Sequence, residues 1–366
     1  MIGIGFDSGG TRTTVAIDRG SGPETIDENE MVESISSARD IISMQRAISW
    51  MADKTEEMAD GQVAVWIGAA GYSATTASRI VDAFKVELED RPRLRARNCT
   101  ILLANDAISV LKADPLRGSG VVAIVGTGSV VLGAHPAYRE GVIKRGGCEW
   151  VVSDDGAGVW MTLRCIALLL EDLQSEWASN RHLVLLDRLA ERLAISADDT
   201  QHISPSRRAL VMAELIARHL AEPTRTNIKR TLAQFVYPDL FDFARGEGHS
   251  FDPVAKRVIR DSVRVIALQA QAVSDRLAAS TADDPDRRDK LKMVVSGKIA
   301  ANSYYAPLLE SEILTRTCAS IESVKVIGHA AGWFASLAMS YLRADDAGKE
   351  EIVRPIDELH SVAQVL

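Results

Sequence analysis

The stretch MIGIGFDSGGTRTT, residues 1–14, decides the fold of this chain. It alternates apolar side chains with glycine up to Asp7, a pattern that predicts a buried strand. In the turn that follows, Gly9 and Gly10 let backbone N–H groups approach phosphate oxygens, and Thr11 adds a hydroxyl donor. Asp7 is placed to hold a hydrated Mg²⁺ beside them. The alternative is a glycine-rich β-hairpin turn that binds nothing.

The same pattern occurs a second time at residues 120–134, GVVAIVGTGSVVLGA. One strand runs into a turn that contains Thr127 and Gly128, and another strand leaves it. Two such units, more than one hundred residues apart, predict two similar α/β domains that face each other across a nucleotide.

Length and composition define the class of protein. A chain of 366 residues suits two domains. The net charge of −8 argues against nucleic acid or an anionic membrane surface as a partner. The sequence contains no apolar run long enough to span a bilayer. The four cysteines lack paired spacing, which predicts reduced thiols in the cytoplasm and no zinc site.

The polar break DPLRGSG at 114–120 marks the predicted domain boundary. We expect an N-terminal lobe over 1–117, on which the C-terminal helix could pack, and a C-terminal lobe over 118–366. A helical insert over about 156–280 belongs to the second lobe. Its apolar faces favour an internal core, and the alternative is the interface of a homodimer. The charged residues 344–366 receive no assignment.

Asp106 is the predicted catalytic residue. It follows the apolar strand ILLA and stands where a helix begins, in Ala104-Asn105-Asp106. A carboxylate at the carboxyl end of such a strand faces the ligand crevice of an α/β fold. There it could take the proton of a hydroxyl that attacks a phosphoryl group. The alternative is that Asn105 and Asp106 cap the helix.

Two further motifs carry polar or glycine turns. Asp154 lies in RGGCEWVVSDDGAGVW, residues 145–160, where it could bind sugar hydroxyls or cap the helix that follows. Gly297 lies in MVVSGKIAAN, residues 293–302, where a strand leads to a helix expected from about Ala300. That turn could pack flat against adenine and ribose, or be an ordinary strand–helix connection.

The ordered set FDSGGTRTT, AND, VGTGS, RGG…SDDGAGVW, VVSGKIAAN and VIGHAAGW resembles the BadF/BadG/BcrA/BcrD ATPase family. It is most similar to the N-acetylglucosamine kinase branch, over about residues 1–340. The resemblance implies an α/β fold of two ribonuclease-H-like domains, as in actin, hexokinase and the heat-shock chaperone ATPases. It also implies ATP and Mg²⁺ in the cleft between the domains.

The resemblance further implies a role for each matching position. Asp7 would serve the metal, while Gly9, Gly10 and Thr11 would form the first phosphate loop and Thr127 and Gly128 the second. Asp106 would be the general base on the sugar 6-hydroxyl, Gly147 and Asp154 would bind the sugar, and Gly297 would lie against the adenosine.

One departure concerns the sugar. The family usually has Gly-Gly-Trp-Gly where this chain has Gly147-Cys148-Glu149-Trp150. The extra carboxylate of Glu149 would suit a free amine, as in glucosamine. The alternative for Glu149 is a solvated loop charge. We therefore predict a kinase that phosphorylates the 6-hydroxyl of N-acetylglucosamine or glucosamine.

Two other functions are possible on this fold. Activator ATPases of radical dehydratases hold an iron–sulfur cluster with cysteine ligands. Cys148 and Cys165 are the nearest pair here, and their surroundings do not resemble that arrangement. A sugar-sensing regulator without catalysis is the other alternative. Such regulators typically begin with a DNA-binding helix pair, whereas this sequence begins at the nucleotide hairpin.

Overall fold

The structure is a computed structural model that describes residues 1–10, 12–27, 35, 41–72, 74–96, 99–148, 153–174, 182–195, 207–208, 210–211, 214–216, 228–246, 251–280, 290–356 and 362–364. Within these ranges the strands form two mixed sheets. Helices lie against both sheets and between them, so the chain has the predicted α/β architecture.

The first sheet contains six strands in the described part of the chain: β1 (Ile2–Ser8), β2 (Thr13–Asp18), β3 (Pro23–Asp27), β4 (Val63–Ala69), β5 (Thr100–Asn105) and β11 (Ala363–Gln364). Their spatial order is β11-β5-β4-β1-β2-β3. Antiparallel pairing joins β1, β2 and β3, whereas β4 and β5 continue parallel to β1. Short β11 covers the far edge antiparallel to β5.

The second sheet, over the described residues, contains five strands: β6 (Gly120–Val125), β7 (Ser129–Ala134), β8 (Ile143–Gly146), β9 (Leu291–Ser296) and β10 (Ile321–Ile327). Their order is β10-β9-β6-β7-β8. Antiparallel β6, β7 and β8 match β1, β2 and β3, and parallel β9 and β10 match β4 and β5. The two sheets therefore repeat one topology, as the two similar hairpins predict.

Helices connect and cover these sheets. In the first part of the chain they are α1 (Ile41–Met58), α2 (Ala74–Glu89), α3 (Pro92–Ala96) and α4 (Asp106–Lys112). The helical insert contains α5 (Gly158–Gln174), α6 (Leu183–Arg192), α7 (Ile228–Phe235), α8 (Phe241–Arg245) and α9 (Pro253–Ser280). After the insert come α10 (Tyr305–Thr317), α11 (Ala331–Arg343) and α12 (Asp346–Val353).

The glycines of β1 allow α11 to lie directly on the first sheet. A Cβ atom on Gly3 would overlap the carbonyl oxygen of Ala335, and one on Gly5 would overlap that of Ala331. Only a residue without a side chain permits so close an approach of helix and strand. The glycine alternation of the N-terminal sequence thus serves helix packing as well as the turn beyond it.

An apolar cluster between the sheets joins the two halves of the chain. It contains Leu102 of the first sheet, Val122 and Val294 of the second, and residues of α4 and α11 such as Phe334. Inside it, the indole N–H of Trp66 donates to the hydroxyl of Ser109 at 2.9 Å. The helices α4 and α11 therefore form the packed connection between the sheets, whereas the exact division at 117/118 stays a prediction.

The insert packs as core. Leu185, Leu186 and Leu189 of α6 are buried in the cluster that covers the second sheet. This agrees with the expected internal role of its apolar faces. None of the helices in the described ranges is long and apolar enough to cross a membrane.

Two elements differ from the sequence-based expectation. Strand β3 has no apolar alternation, and the sequence does not predict it. The apolar residues of MVESI, 31–35, predict a further strand after the first hairpin, but all of these residues except Ile35 lie outside the described ranges. The helix expected from about Ala300 begins at Tyr305. Its start is delayed because the Asn302 carboxamide accepts the N–H groups of Tyr304 and Tyr305, at 2.9 and 3.3 Å.

Candidate active site

The two glycine turns meet between the sheets. A Cβ atom built on Gly10 would lie 3.2 Å from the Cβ atom of Thr127. These residues are 117 positions apart in the sequence, yet their turns line the same place. The sequence repeat predicts that the two hairpins face each other, and in the structure their turns lie against each other.

Hydrogen bonds hold the first turn in shape. The N–H of Gly9 donates to the carbonyl oxygen of Arg12 at 3.0 Å. The hydroxyl of Ser8 accepts from the Thr13 hydroxyl at 3.2 Å and from the N–H of Ile35 at 3.0 Å. Thr11, predicted for the same loop, lies outside the described residues.

Asp7 is the last residue but one of β1, just before this turn. Its Oδ2 accepts the N–H of Ala330 at 2.7 Å, so the carboxylate lies at the N-terminal end of α11. Burial raises the pKa of Asp7, and the Ala330 bond together with the charges of His329 and Arg12 lowers it in part.

Asp106 begins α4 beside the residue that caps the helix. The side chain of Asn105 accepts the N–H groups of Ala107 and Ile108, at 3.1 and 3.4 Å, and is therefore the N-cap. Asp106 is the first helical residue, and its Oδ1 accepts the N–H of Ala107 at 2.8 Å. The helix consequently has a cap without relying on Asp106 alone.

The surroundings of Asp106 favour a proton-accepting role. Burial, the largest cause, and the negative charge of Asp7 raise its pKa to about 7. The backbone N–H groups at the helix start and the charge of Lys144 oppose the rise. A carboxyl group whose pKa lies near neutrality is suited to general-base catalysis.

The second turn rests on the start of α5. The carbonyl oxygen of Gly126 accepts the N–H of Gly158 at 2.9 Å, and that of Thr127 accepts the N–H of Val159 at 3.3 Å. Asp154 is buried on the other side, where its carboxylate would overlap a Cβ atom on Gly128. Asp154 thus lies against the second turn, at the edge of the predicted sugar site.

Lys144 links the predicted sugar loop, which follows β8, to Asp106. The Nζ of Lys144 donates to the carbonyl oxygen of Gly147 at 3.1 Å. The same ammonium is close enough to Asp106 to lower its pKa. Gly147 has φ +68°, in the left-handed region that favours glycine. Glu149, which the sequence places in this loop, lies outside the described residues.

Position 297 requires a glycine, because a side chain there would meet both an unfavourable φ angle and a neighbouring strand. It has φ +133°, and a Cβ atom on it would overlap the carbonyl oxygen of Val125, the last residue before the second turn. Its N–H donates to the carbonyl oxygen of Ile327 at 3.0 Å. The next residue, Lys298, extends its Nζ to 4.7 Å from the centre of the Tyr237 ring.

Comparisons with known proteins identify the family of this chain. A sequence profile of the BadF/BadG/BcrA/BcrD ATPase family matches residues 4–332. The chain belongs to this family. Its motifs, from the β1 hairpin to the VIGHAAGW segment, all fall within the matched range or overlap its end.

Named relatives of this family member are sugar kinases. The N-acetylmuramic acid/N-acetylglucosamine kinase of Clostridium acetobutylicum is 22% identical over 311 residues, which cover 82% of this chain and 86% of that protein. A Porphyromonas gingivalis structure assigned as an N-acetylglucosamine kinase has a TM-score of 0.55 at 16% identity, covering 91% of this chain and 97% of that one.

A second structure with the same assignment comes from Chromobacterium violaceum. It has a TM-score of 0.52 at 17% identity and covers 92% of this chain and 98% of that one. These likenesses confirm the predicted fold, two ribonuclease-H-like lobes with a cleft between them. The predicted enzyme class, a sugar kinase, agrees with all three relatives.

Sequence reasoning missed two groups that shape the site of this family member. The N–H of Ala330 binds Asp7, and the ammonium of Lys144 lowers the pKa of Asp106. The cap that Asn105 provides was among the alternatives that the sequence offered. Lys144 is an ordinary surface-type residue in a strand, so no local pattern marks it.

The acids of the site fit Mg²⁺ in the way the family implies. Among the described residues no group of three or more His, Cys, Asp or Glu side chains could cage a metal. Mg²⁺ instead keeps several waters and binds one or two carboxylates together with substrate phosphates. The negative charge of Asp7 acts on Asp106, and a divalent cation would relieve that repulsion.

Proposed function

We propose that this chain is an ATP-dependent kinase that transfers a phosphoryl group to the 6-hydroxyl of N-acetylglucosamine or glucosamine. The observation that supports it most is the meeting of the two glycine turns, Gly10 against Thr127, together with the buried carboxyl of Asp106, which is near enough to Asp7 to be affected by its charge. Phosphoryl transfer needs little more than such positioning and charge stabilisation.

Each part of the site has a task in this proposal. Gly9 keeps the first turn in shape through its bond to Arg12. The N–H groups of Gly10 and of the turn at Thr127–Gly128 hold the phosphates of ATP, and Thr11 adds a donor. Gly297 packs against the adenosine. Asp106 accepts the proton of the sugar 6-hydroxyl as that oxygen attacks the γ-phosphorus.

The sugar would lie between α4 and the loop after β8. Buried Asp154 accepts hydrogen bonds from sugar hydroxyls, and the backbone at Gly147 lines the same side. Lys144 fixes this loop through its bond to Gly147, so the loop and Asp106 share one cation. Glu149 would meet the substituent on the 2-position of the sugar.

Asp7 would hold Mg²⁺ under the first turn. When bound with ATP, the ion would neutralise phosphate charge that develops during transfer. Asp7 itself is fixed by the N–H of Ala330, so its carboxylate keeps one orientation at the strand end. The ion and its ATP are part of the same proposal.

The names of the relatives support an amino sugar. N-acetylglucosamine is favoured because it occurs in the name of the Clostridium relative and in both structural assignments. Glucosamine is the alternative, since the carboxylate of Glu149 would form a charge-assisted hydrogen bond with a free ammonium.

The test compares kcat/KM for glucose, glucosamine and N-acetylglucosamine in a coupled assay of ADP release. We expect one of the two amino sugars to exceed glucose at least tenfold, because a site built for a polar group rejects analogues that lack it. Equal activity on glucose would leave a general hexose kinase and remove both amino-sugar assignments.

The variant Glu149→Gln separates the two amino sugars. Loss of activity confined to glucosamine would establish the free amine as the recognised group. If the ratios of kcat/KM between the sugars do not change, Glu149 is a solvent-exposed loop charge and N-acetylglucosamine remains the substrate. Glu89→Gln, on the exposed end of α2, is the matched control for the loss of one carboxylate.

The proposal includes a cytoplasmic location, where ATP is available, and leaves the homodimer as a prediction.

The activator-ATPase alternative is weakened by the cysteines. Cys165 is buried in the core of the second lobe, and burial raises the pKa of its thiol, which disfavours the thiolate that an iron–sulfur cluster needs.

A further inference from the structure

Residues beyond α11, which the sequence leaves unassigned, return to the strand and helix that carry Asp106. In β11, Ala363 pairs with Leu103 and Gln364 with Leu102, so the short strand covers the free edge of β5. Helix α12 lies beyond the other end of α4. The segment therefore contacts the β5–α4 unit both before and after Asp106.

Lys112 makes the contact at the far end of α4. Its Nζ donates to the carbonyl oxygen of Ile352 at 3.0 Å and to that of Arg354 at 2.7 Å. Ile352 is in the last turn of α12 and Arg354 is the residue that follows the helix, where backbone acceptors have no partner within the helix. A cation is also favourable at this negative end of the helix dipole. One ammonium thus joins the ends of two helices.

Apolar packing accompanies this link. Ile352, Val353, Ile356 and Val362 pack against the cluster between the sheets, to which the buried face of α4 belongs. Burial lowers the pKa of Lys112 to about 8, while the charge of Glu351 opposes that change. The ammonium is therefore held in a partly dry environment, with carbonyl oxygens as its ligands.

Helix α4 is short, so the contact at Lys112 affects the position of Asp106 at the other end of the helix. Its seven residues run from Asp106 to Lys112, a distance of about 9 Å along the helix axis. A shift at one end therefore moves the other end by a similar amount. Within α4, the hydroxyl of Ser109 and the indole of Trp66 tie the middle of the helix to the first sheet.

We propose that Lys112 is a positioning residue, which, together with α12 and β11, sets the location of the Asp106 carboxylate. This rests on the proposed function of Asp106 as general base. The phosphate turns lie on other strands, so the link governs the sugar hydroxyl and its proton rather than the binding of ATP. Lys112 does not touch substrate.

The test is Lys112→Met in the full-length protein. We expect kcat to fall about tenfold or more, since a displacement of reacting groups by about 1 Å can cost about 10²-fold. The KM for ATP should change less than about threefold, because Gly9, Gly10 and Thr127 keep their own supports. Lys112→Arg should restore most of kcat, because a guanidinium can donate to both carbonyls.

Lys292→Met is the matched control, since Lys292 is exposed on β9 away from α4. Amide hydrogen exchange supplies a second readout that needs no activity. In Lys112→Met, the amides of 106–112 should exchange faster while those of α1 keep the wild-type rate. If the Met variant fails to fold, Lys112→Gln, which keeps a donor without the charge, takes its place.

A wild-type kcat in Lys112→Met with unchanged exchange in α4 would overturn the inference, as would a loss that Arg fails to restore. A wild-type protein without sugar-dependent ADP release would instead overturn the proposed function. In that case the exchange rates in α4 still decide whether Lys112 holds the helix.

Discussion

The ends of β1 and β5 carry the same kind of residue in different surroundings. Both strands flank β4 and run parallel, and each delivers an aspartate to the same edge of the first sheet. Asp7 receives the N–H of Ala330 and lies near Arg12, which lowers its pKa against the effect of burial. Asp106 instead faces the negative charge of Asp7, which adds to burial and brings its pKa to about 7.

This difference separates two roles. A strand-end position brings an acid into the cleft, whereas the neighbouring groups decide how readily that acid holds a proton. Backbone and cationic neighbours partly offset the effect of burial on the pKa of Asp7, at the position expected for the metal. A negative neighbour suits Asp106 to exchange a proton near neutral pH. Variants of each carboxylate test whether the two differ in this way.

The largest effect should come from Asp106→Asn. We expect sugar-dependent kcat to fall about 10²–10⁴-fold, because the general base is lost while the shape of the side chain is kept. ATP affinity, measured by equilibrium titration, should stay within about threefold of wild type. Turnover at wild-type speed would reduce Asp106 to a part of the helix start. Asp90→Asn, at the exposed end of α2, is the control.

The variant Asp7→Ala should weaken the binding of ATP·Mg²⁺ rather than the transfer of the proton from the sugar hydroxyl. We expect the KM for ATP·Mg²⁺ to rise about 10–100-fold, the loss of one or two charge-assisted contacts. Thr127→Ala should raise it in the same direction by a smaller factor, since one hydroxyl is removed. A crystal structure with an ATP analogue away from either turn would contradict both expectations.

The pH profile should report the surroundings of Asp106. The base must be unprotonated, so kcat/KM should decline about tenfold per unit as the pH falls below about 7, the pKa of Asp106. Lys144→Met should move this limb to higher pH, because the ammonium lowers that pKa. A limb that lies near pH 4 in the wild type would contradict the raised pKa.

Asp106 should also weaken the folded protein at neutral pH. Its pKa is about 7 in the fold against an ordinary 3.8, so the stability it contributes is complete below pH 4 and is lost as the pH rises through 7. Asp106→Asn should therefore raise the free energy of unfolding at pH 8, by at most on the order of 4 kcal/mol. At pH 4, urea unfolding should show little gain.

Much of the fold and part of the site were predictable, for local reasons. Glycine turns after apolar strands predict the hairpins at Gly10 and Thr127, and a strand-end acid predicts the place of Asp106. The repeat of the hairpin predicts the second sheet. These features could be predicted because each depends on only a few consecutive residues.

Other features depend on partners far away in the sequence. The donor to Asp7 is the backbone N–H of Ala330, 323 positions later, and any residue except proline could supply it. The partners of Lys112 are likewise carbonyl groups, which leave no trace in the side-chain pattern. Strand β3, PETID, pairs at an edge without apolar alternation, so its sequence resembles a loop.

The close seating of α11 on Gly3 and Gly5 has a consequence for synthesis on the ribosome. An N-terminal domain ordinarily folds first, while the remainder of the chain is still being made. Here one face of β1 is covered by residues that are translated more than 300 codons later. During synthesis, an apolar face of the first sheet therefore stays uncovered. We expect the nascent chain to depend on chaperones until α11 leaves the exit tunnel.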